Sequence, residues 1–279
     1  MTNKLQLINE ESTGGTFPCY ISIDSAGRHL MVANYGSGSV GVLPIRSDGS
    51  LGTMTGFSQH QGSSVNKDRQ AGPHAHCIIP DSKSDQWVLS VDLGMDKILS
   101  YRLDTDMGRL ALNEESTISV EGGAGPRHIV GHPNGRFFYV VNELDSTVIV
   151  FKRSSSTNLT ELQAVSTLPP DFGGSNTGGD IRVHPSGKFL YVSNRGHNSL
   201  AIYEIDEHSG ELDKLGYAFT EGDSPRSFAI DPTGRFLIVA NQKSDLIVVF
   251  RVDEATGSLE ACSKVTLPTP VYITFLPEA

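Results

Sequence analysis

Short apolar runs separated by polar turns recur along the whole chain. Runs such as TVIVFKR, SLAIYEI and DLIVVFRV are rich in Val, Ile, Phe and Tyr and are bounded by Gly, Asp, Asn or Pro. This composition is typical of β-strands joined by tight hairpins, and no window of about eleven residues has the spacing of an amphipathic helix. The pattern therefore predicts an all-β protein.

One phrase ending in Asn or Asp is repeated along the chain. In four copies the terminal asparagine comes seven positions after a turn glycine: Gly27 to Asn34, Gly135 to Asn142, Gly187 to Asn194 and Gly234 to Asn241. A degenerate copy ends at Asp92, and successive ends lie 58, 50, 52 and 47 residues apart. Repeats of this length with four short strands are typical of propeller blades. We predict a single β-propeller domain over residues 1–279, with about five complete four-stranded blades.

The candidate chemistry lies in the loops that differ from one repeat to the next. The glycine turns are nearly identical in every copy, whereas the loops on the opposite face vary, as a one-sided functional site requires. First strands of a propeller line its channel, so we expect the residues that begin them to converge at one mouth. On that face, the titratable residues at which one repeat differs from the others are His74, His76, Arg127, His128, Glu143, Asp180, Arg195 and Arg226.

Each candidate has a structural alternative. Arg127 and Arg226 fit either ion pairs between blades or anion binding, and their shared place in the repeat favours anion binding. Glu143 fits either a partner for one of these arginines or a general base or acid. His74 and His76 have the i, i+2 spacing of two metal ligands on one strand face, but a third ligand at a familiar spacing is missing. Substrate contact or proton transfer is preferred for them, and no metal is expected.

The recurring asparagines and two further histidines have simpler interpretations. We expect the terminal asparagines to hydrogen-bond their own loop backbone, as Asn readily does. Asn142, which precedes Glu143, is also kept among the candidate substrate-binding residues. His132 and His184 stand just before glycine turns and are interpreted as turn residues. Two long links, one after Leu51 and one before Ile181, are expected to cover the mouth.

Charge and cysteine content narrow the classes of partner and the compartment. The chain has 22 basic and 32 acidic side chains and a net charge of −10, which disfavours general binding to nucleic acid or anionic membranes. The N-terminus lacks the features of an export signal, and no segment has the roughly 18 apolar residues of a membrane span. The three cysteines form no Cys-x-x-Cys pair. We expect a cytoplasmic protein, a monomer or a homodimer.

Four phrases are specific enough to indicate a family: GSSVNKDRQAGPHAH, GPRHIVGHPNGRFFYVVNE, IRVHPSGKFLYVSNRGHNS and SPRSFAIDPTGRFLIVANQKSD. From about Leu5 to Leu276 the chain resembles the lactonase-type seven-bladed β-propellers. That group contains bacterial 6-phosphogluconolactonases of the propeller type and fungal 3-carboxymuconate-cyclising enzymes. The resemblance implies seven blades, whereas five repeats are readable, so we expect a propeller that is shortened in its N-terminal blade region.

The resemblance also implies an active site. The proposed set of the muconate-cyclising relatives is a histidine, two arginines and a glutamate, which fall here on His76 (or His74), Arg127, Arg226 and Glu143. Substrate binding is expected from His74, His128, Arg195, Asp180 and Asn142. The family's usual Ala-Glu before the IRVHP phrase is Gly179-Asp180 in this chain.

The expected function is that of a metal-independent lactonase acting on a sugar-acid lactone without a cofactor. The resemblance favours 6-phosphogluconolactone, a substrate of the pentose phosphate pathway. One alternative is a lactonising cycloisomerase of carboxymuconate that uses the same arginines for two carboxylates. A second is a propeller without catalysis, either a binding scaffold or a truncated fragment. A WD-type scaffold is disfavoured, because the pattern of Gly-His and Trp-Asp motifs that marks those repeats is absent.

Overall fold

A computed structural model describes residues 5–155 and 158–276 of the chain. Within these residues it contains 20 β-strands in five four-stranded antiparallel sheets, which confirms the predicted all-β class and the four-stranded blades. Two compact units divide the chain at Gly122 and Gly123. That the whole chain forms a single domain stays a prediction.

Unit 1 contains two sheets in which the strands follow one another in chain order. Sheet 1 is formed by β1 (Pro18–Ile23), β2 (His29–Asn34), β3 (Ser39–Pro44) and β4 (Gly56–Gln59). Sheet 2 is formed by β5 (Ala75–Asp81), β6 (Ser84–Asp92), β7 (Lys97–Asp104) and β8 (Arg109–Ser119). The core of the unit packs Met31, Val40 and Val42 of sheet 1 with Ile78, Leu99 and Tyr101 of sheet 2.

Unit 2 contains three sheets of the same up-and-down order. Sheet 3 is formed by β9 (Pro126–Gly131), β10 (Phe137–Asn142), β11 (Thr147–Arg153) and β12 (Leu159–Ser166). Sheet 4 is formed by β13 (Thr177–Val183), β14 (Phe189–Arg195), β15 (Ser199–Ile205) and β16 (Leu212–Phe219). Sheet 5 is formed by β17 (Pro225–Ile230), β18 (Phe236–Asn241), β19 (Leu246–Val252) and β20 (Leu259–Thr266).

Both faces of sheet 4 are covered within unit 2. One apolar cluster joins it to sheet 3 through Tyr139, Val150 and Tyr203, and another joins it to sheet 5 through Tyr191 and Phe250. Burial of both faces explains why the central runs are continuous stretches of Val, Ile, Phe and Tyr rather than strict alternations.

The glycine turns between first and second strands connect neighbouring sheets. Gly187 and Gly234 adopt φ values of +77° and +78°, a conformation that glycine reaches without strain. The ring Nε2 of His132 lies 2.9 Å from the carbonyl oxygen of Gly187, and that of His184 lies 2.9 Å from the carbonyl oxygen of Gly234. The two histidines are turn residues, as predicted, and each also bonds the turn of the next sheet.

The terminal asparagines differ from their predicted role. Asn34, Asn194 and Asn241 donate their side-chain amides to the backbone carbonyls of Thr13, Thr167 and Thr220, which lie 21 to 27 residues earlier in the chain. These threonines belong to the link that precedes each sheet, so the prediction of a bond to the asparagine's own loop was wrong for these three. An amide at this position satisfies a carbonyl that no strand ladder reaches.

Candidate active site

Each first strand contains a bulge, and the bulge holds a distinctive residue of its sheet. In sheet 3 the pairing of β9 with β10 passes from Pro126 to His128 and skips Arg127. Bulges redirect side chains and are frequent beside active sites. The residues in the skipped positions of sheets 1 to 5 are Cys19, His76, Arg127, Gly179 with Asp180, and Arg226. The ladder therefore places the candidate residues of different repeats at one equivalent position.

Glu143 is held between two arginines in unit 2. It follows the last residue of β10, and its Oε2 accepts hydrogen bonds from Nε of Arg127 at 2.9 Å and from Nη2 of Arg195 at 2.8 Å. All three side chains are almost entirely buried. The second nitrogen Nη1 of Arg127 donates to the carbonyl of Gly179 at 2.8 Å, and Nη2 of Arg195 donates to the carbonyl of Gly178 at 2.7 Å. The carboxylate is thus fixed by partners from sheets 3 and 4.

Positive charge exceeds negative charge around Glu143. Burial, together with the neighbouring Arg127, lowers the pKa of Arg195 to about 10, although Glu143 acts in the opposite direction and Arg226 adds a further like charge. Nε of Arg195 is buried without a hydrogen-bond partner among the described residues. A buried cluster of like charges favours the binding of an anion.

A second buried group, centred on Asp180, joins all three sheets of unit 2. Its Oδ1 accepts from Nδ1 of His128 on β9 at 2.9 Å, and its Oδ2 from Nη2 of Arg182 on β13 at 3.0 Å and from Oγ of Ser227 on β17 at 3.1 Å. Because protein donors surround both oxygens, Asp180 holds residues of the three sheets in position. Its predicted role as a substrate contact stays a prediction.

The hydrogen bonds of His128 fit a neutral ring. If Nδ1 carries the proton and donates it to Asp180, Nε2 can accept from Nη1 of Arg127 at 3.1 Å. Burial, followed by the charge of Arg127, lowers the pKa of His128 to about 4. Burial alone would raise the pKa of Asp180, but Arg182 and the hydrogen bond from His128 hold it well below its usual range. Arg127, His128, Asp180 and Glu143 therefore form one connected network.

The pKa of His128 predicts a loss of stability in mild acid. The unfolded ring takes up a proton near pH 6.5, whereas the folded ring resists protonation down to about pH 4, so stability falls as the pH is lowered between these values. The expected loss between pH 7 and pH 5 is about 2 kcal/mol. Urea unfolding at both pH values should show it for the native chain and not for His128→Gln, whose amide keeps both bonds without titrating. Equal pH dependence of the two proteins would contradict this assignment.

An open pocket of about 410 Å³ adjoins the Glu143 cluster. Arg195 contributes to both, since it bonds Glu143 and also lines the pocket. The other charged lining residues are Arg226, Lys243 and Asp223. One wall is formed by Ser175 and Asn176 of the link before β13 and by Thr177, the first residue of β13. The predicted covering role of this link stays a prediction, and its position beside the pocket agrees with it.

Gly196 allows that wall to lie close to the end of β14. Its φ is +139°, and a Cβ atom built at this position would lie 2.1 Å from the carbonyl oxygen of Ser175 and 2.9 Å from Cα of Asn176. A side chain at residue 196 would therefore displace the link.

Unit 1 brings His74 and His76 together around Tyr35. The Tyr35 ring stacks on His74 with centroids 4.5 Å apart and meets His76 edge-on at 5.4 Å. His76 is almost completely buried, and its Nδ1 lies 3.7 Å from Sγ of Cys19 in β1. His74 is half-buried, and its Nδ1 lies 2.9 Å from the carbonyl oxygen of Tyr35. Among the described residues no group of three His, Cys, Asp or Glu side chains could hold a metal ion.

The degenerate repeat ends in aspartate because three donors meet there. Asp92 accepts from the backbone nitrogens of His74 at 2.7 Å and Gly94 at 3.0 Å, and its Oδ2 lies 2.6 Å from Nδ1 of His60. An acceptor-only carboxylate serves all three, which an asparagine amide could not do as well. Asp92 therefore holds the backbone that presents His74.

The structure adds residues that the sequence patterns missed. Arg182 pairs with Asp180, and its spacing of two residues along a strand was an available signal. Lys243 lines the pocket two residues beyond Asn241, whereas the sequence comparison read only the first residue after each asparagine. In contrast, Asn142 is completely buried and donates to Oγ1 of Thr147 at 2.8 Å. Its assignment as a substrate-binding residue stays a prediction.

Comparison with known proteins identifies the family. The model of the family described as "Lactonase, 7-bladed beta-propeller" matches residues 1–275. The chain belongs to this family. The network of Arg127, Glu143 and Arg195 is therefore a feature of a lactonase-type propeller.

Named relatives of the family are similar over most of this chain. A 6-phosphogluconolactonase of Bacillus subtilis strain 168 is 37% identical over 231 residues, which are 82% of this chain and 64% of that protein. The chain thus spans less than two thirds of that relative's length. A solved structure of a proposed 6-phosphogluconolactonase from Bacteroides fragilis matches with a TM-score of 0.91 and 34% identity. The match covers 98% of this chain and 77% of the Bacteroides chain.

One relative is named for a compartment other than the predicted cytoplasm. The structure of a periplasmic gluconolactonase from Pseudomonas aeruginosa matches with a TM-score of 0.88 and 36% identity, covering 93% of this chain and 73% of that chain. No helix in the described residues has the length and apolar character that crossing a bilayer requires.

Proposed function

We propose that this chain carries the active site of a metal-independent lactonase that hydrolyses a sugar-acid lactone, with 6-phosphogluconolactone as the substrate. The observation that carries the proposal is Glu143 fixed between Arg127 and Arg195 beside an arginine-lined pocket. The names of the Bacillus and Bacteroides relatives support the same substrate.

The residues of unit 2 suggest how hydrolysis proceeds. Water attacks the lactone carbonyl carbon, and Glu143 accepts a proton from that water. The role of His76 in unit 1 as a base stays a prediction. The guanidinium groups of Arg195 and Arg226 stabilise the negative charge that develops on the carbonyl oxygen. The ring oxygen then leaves as its bond to the carbonyl carbon breaks and takes up the proton held by Glu143, which gives a hydroxy acid and restores the Glu143 carboxylate. This mechanism needs no metal, so EDTA should leave the activity unchanged.

We propose that the protein is located in the cytoplasm, which is a reducing environment. Cys19, Cys77 and Cys262 all lie within the described residues and are thiols rather than disulfides, which fits that compartment. The alternative assignments, a carboxymuconate cycloisomerase or a propeller without catalysis, stay predictions, as does the oligomeric state of monomer or homodimer.

A direct assay tests the proposed activity. Freshly generated 6-phosphogluconolactone should disappear faster with the purified chain than spontaneously, and Arg226→Ala should lower kcat/KM by about 100-fold, as expected when a charge-assisted contact to the transition state is removed. Arg235→Ala provides a matched control, because Arg235 is exposed at the glycine turn of the same sheet.

The outcomes separate the three candidate functions. Equal activity of Arg226→Ala and the native chain would exclude this site. Conversion of carboxymuconate without lactone hydrolysis would instead favour the cycloisomerase, and inertness towards both substrates would favour the scaffold.

A further inference from the structure

The charges that line the 410 Å³ pocket do not balance. Arg195, Arg226 and Lys243 contribute three positive charges, and Asp223 contributes one negative charge, which leaves a surplus of two. Behind the pocket, Arg127 and Glu143 form an ion pair that changes this sum little. Hydrolysis develops one negative charge on the carbonyl oxygen, which is less than the surplus of two, so hydrolysis alone does not account for the surplus.

The three cations come from separate segments and surround one space. Arg195 ends β14, Arg226 is the second residue of β17, and Lys243 lies in the 3₁₀ turn Gln242–Ser244. That arrangement suits a tetrahedral group with several oxygens better than a planar carboxylate, and Arg and Lys are the usual partners of phosphate. A phosphate monoester carries between about −1.5 and −2 charges at pH 7, which matches the surplus.

The backbone that carries Lys243 is fixed. The backbone nitrogens of Gln242 and Lys243 donate to the carbonyls of Ser224 at 3.0 Å and Asp223 at 3.1 Å. The backbone nitrogen of Asp223 in turn donates to Oγ of Ser244 at 2.9 Å. The 3₁₀ turn is therefore tied to the segment that leads into Arg226, so Lys243 and Arg226 keep a defined separation while the exposed lysine side chain stays able to reach a ligand.

Arg195 connects this pocket to the proposed catalytic carboxylate. Its Nη2 lies 2.8 Å from Oε2 of Glu143, and the same side chain lines the pocket. A ligand with a phosphate at one end and a lactone ring at the other could therefore place its phosphate beside Lys243 while its carbonyl lies near Arg195 and Glu143.

We infer that this pocket is the phosphate subsite of the proposed lactonase and that Lys243 determines its specificity for phosphorylated sugar-acid lactones. The inference rests on the proposed function for its catalytic readout. It goes beyond that function by assigning a binding site to the phosphate. Lys243, the residue proposed to determine specificity, has no part in the proposed hydrolysis.

The catalytic test compares two lactones that differ only in the phosphate. Lys243→Met is expected to raise KM for 6-phosphogluconolactone at least tenfold, with kcat within about twofold of the native value. Its kcat/KM for gluconolactone should stay within about twofold. The matched control is Lys188→Met, which removes an exposed lysine at the glycine turn of sheet 4 and should change neither substrate. Unchanged kinetics of Lys243→Met, or an equal fall for both lactones, would overturn the inference.

A binding measurement keeps the subsite testable if the chain hydrolyses neither lactone. Calorimetric titration should show at least tenfold tighter binding of 6-phosphogluconate than of gluconate to the native chain, and Lys243→Met should remove this preference. Equal affinity for the two acids, or a preference that survives Lys243→Met, would overturn the subsite. Failure of hydrolysis with the preference retained would reject the proposed lactonase while supporting the phosphate subsite.

Discussion

Replacing Glu143 by glutamine is expected to lower kcat for lactone hydrolysis by about 10²- to 10⁴-fold, the range typical of a lost general acid or base. Glutamine has nearly the same shape, and its amide oxygen can still accept from Arg127 or Arg195, so the fold should be retained. It cannot take a proton from water. The measurement is a steady-state assay with 6-phosphogluconolactone over a range of pH, combined with circular dichroism to verify folding.

The control for this variant is Glu204→Gln, which neutralises an exposed glutamate on β15 of the same unit and should leave kcat unchanged. A kcat for Glu143→Gln within about threefold of the native value, in a folded protein, would show that Glu143 only orients its arginines. The same assay of His76→Gln would then test the other base predicted from the sequence.

Replacing Asp180 by alanine is expected to destabilise unit 2 by about 3–5 kcal/mol, the usual cost of removing one partner from a buried charged network. The substitution removes the shared acceptor of three donors: Nη2 of Arg182, Nδ1 of His128 and the Ser227 hydroxyl. Urea unfolding followed by circular dichroism should show a lower midpoint. The single Trp87 belongs to unit 1, so its fluorescence reports that unit separately.

The comparison variant for this experiment is Asp213→Ala, which removes an exposed aspartate of β16 in the same sheet. It should alter the unfolding free energy by less than about 0.5 kcal/mol, as surface substitutions generally do. A loss below about 1 kcal/mol for Asp180→Ala would mean that Asp180 does not hold the three sheets together, and its predicted role as a substrate contact would regain support.

The two predictions depend on contacts of different kinds. The effect of Glu143→Gln tests chemistry at a carboxylate that is held by two arginines, whereas the effect of Asp180→Ala tests the packing that positions Arg127 through His128. Because Nη1 of Arg127 donates to His128, a modest fall in activity of folded Asp180→Ala would be consistent with a positioning role.

Much of the candidate site could be predicted from the repeat. Comparison of equivalent positions singled out Arg127, Glu143, Arg195 and Arg226, and the structure brings together the members of this set around one carboxylate and one pocket. The comparison worked because a residue that differs from its counterparts in otherwise similar repeats is released from their common structural role. It missed Lys243, since the 3₁₀ turn after β18 moves the informative position one residue further along the chain.

The sequence by itself determined the all-β class, the four-stranded repeats and the face on which the variable residues lie. These features follow from local causes: strand composition, hairpin glycines and the alternation of turns between two faces. Only the tertiary structure decided which groups pair. The partners of Arg127 and His128 lie 16 and 52 residues away, and the distinctive residues reach their positions through bulges that composition does not reveal. Pairing of side chains across sheets depends on packing between segments that are distant in sequence. The spacing of residues along the chain does not predict which of them pair.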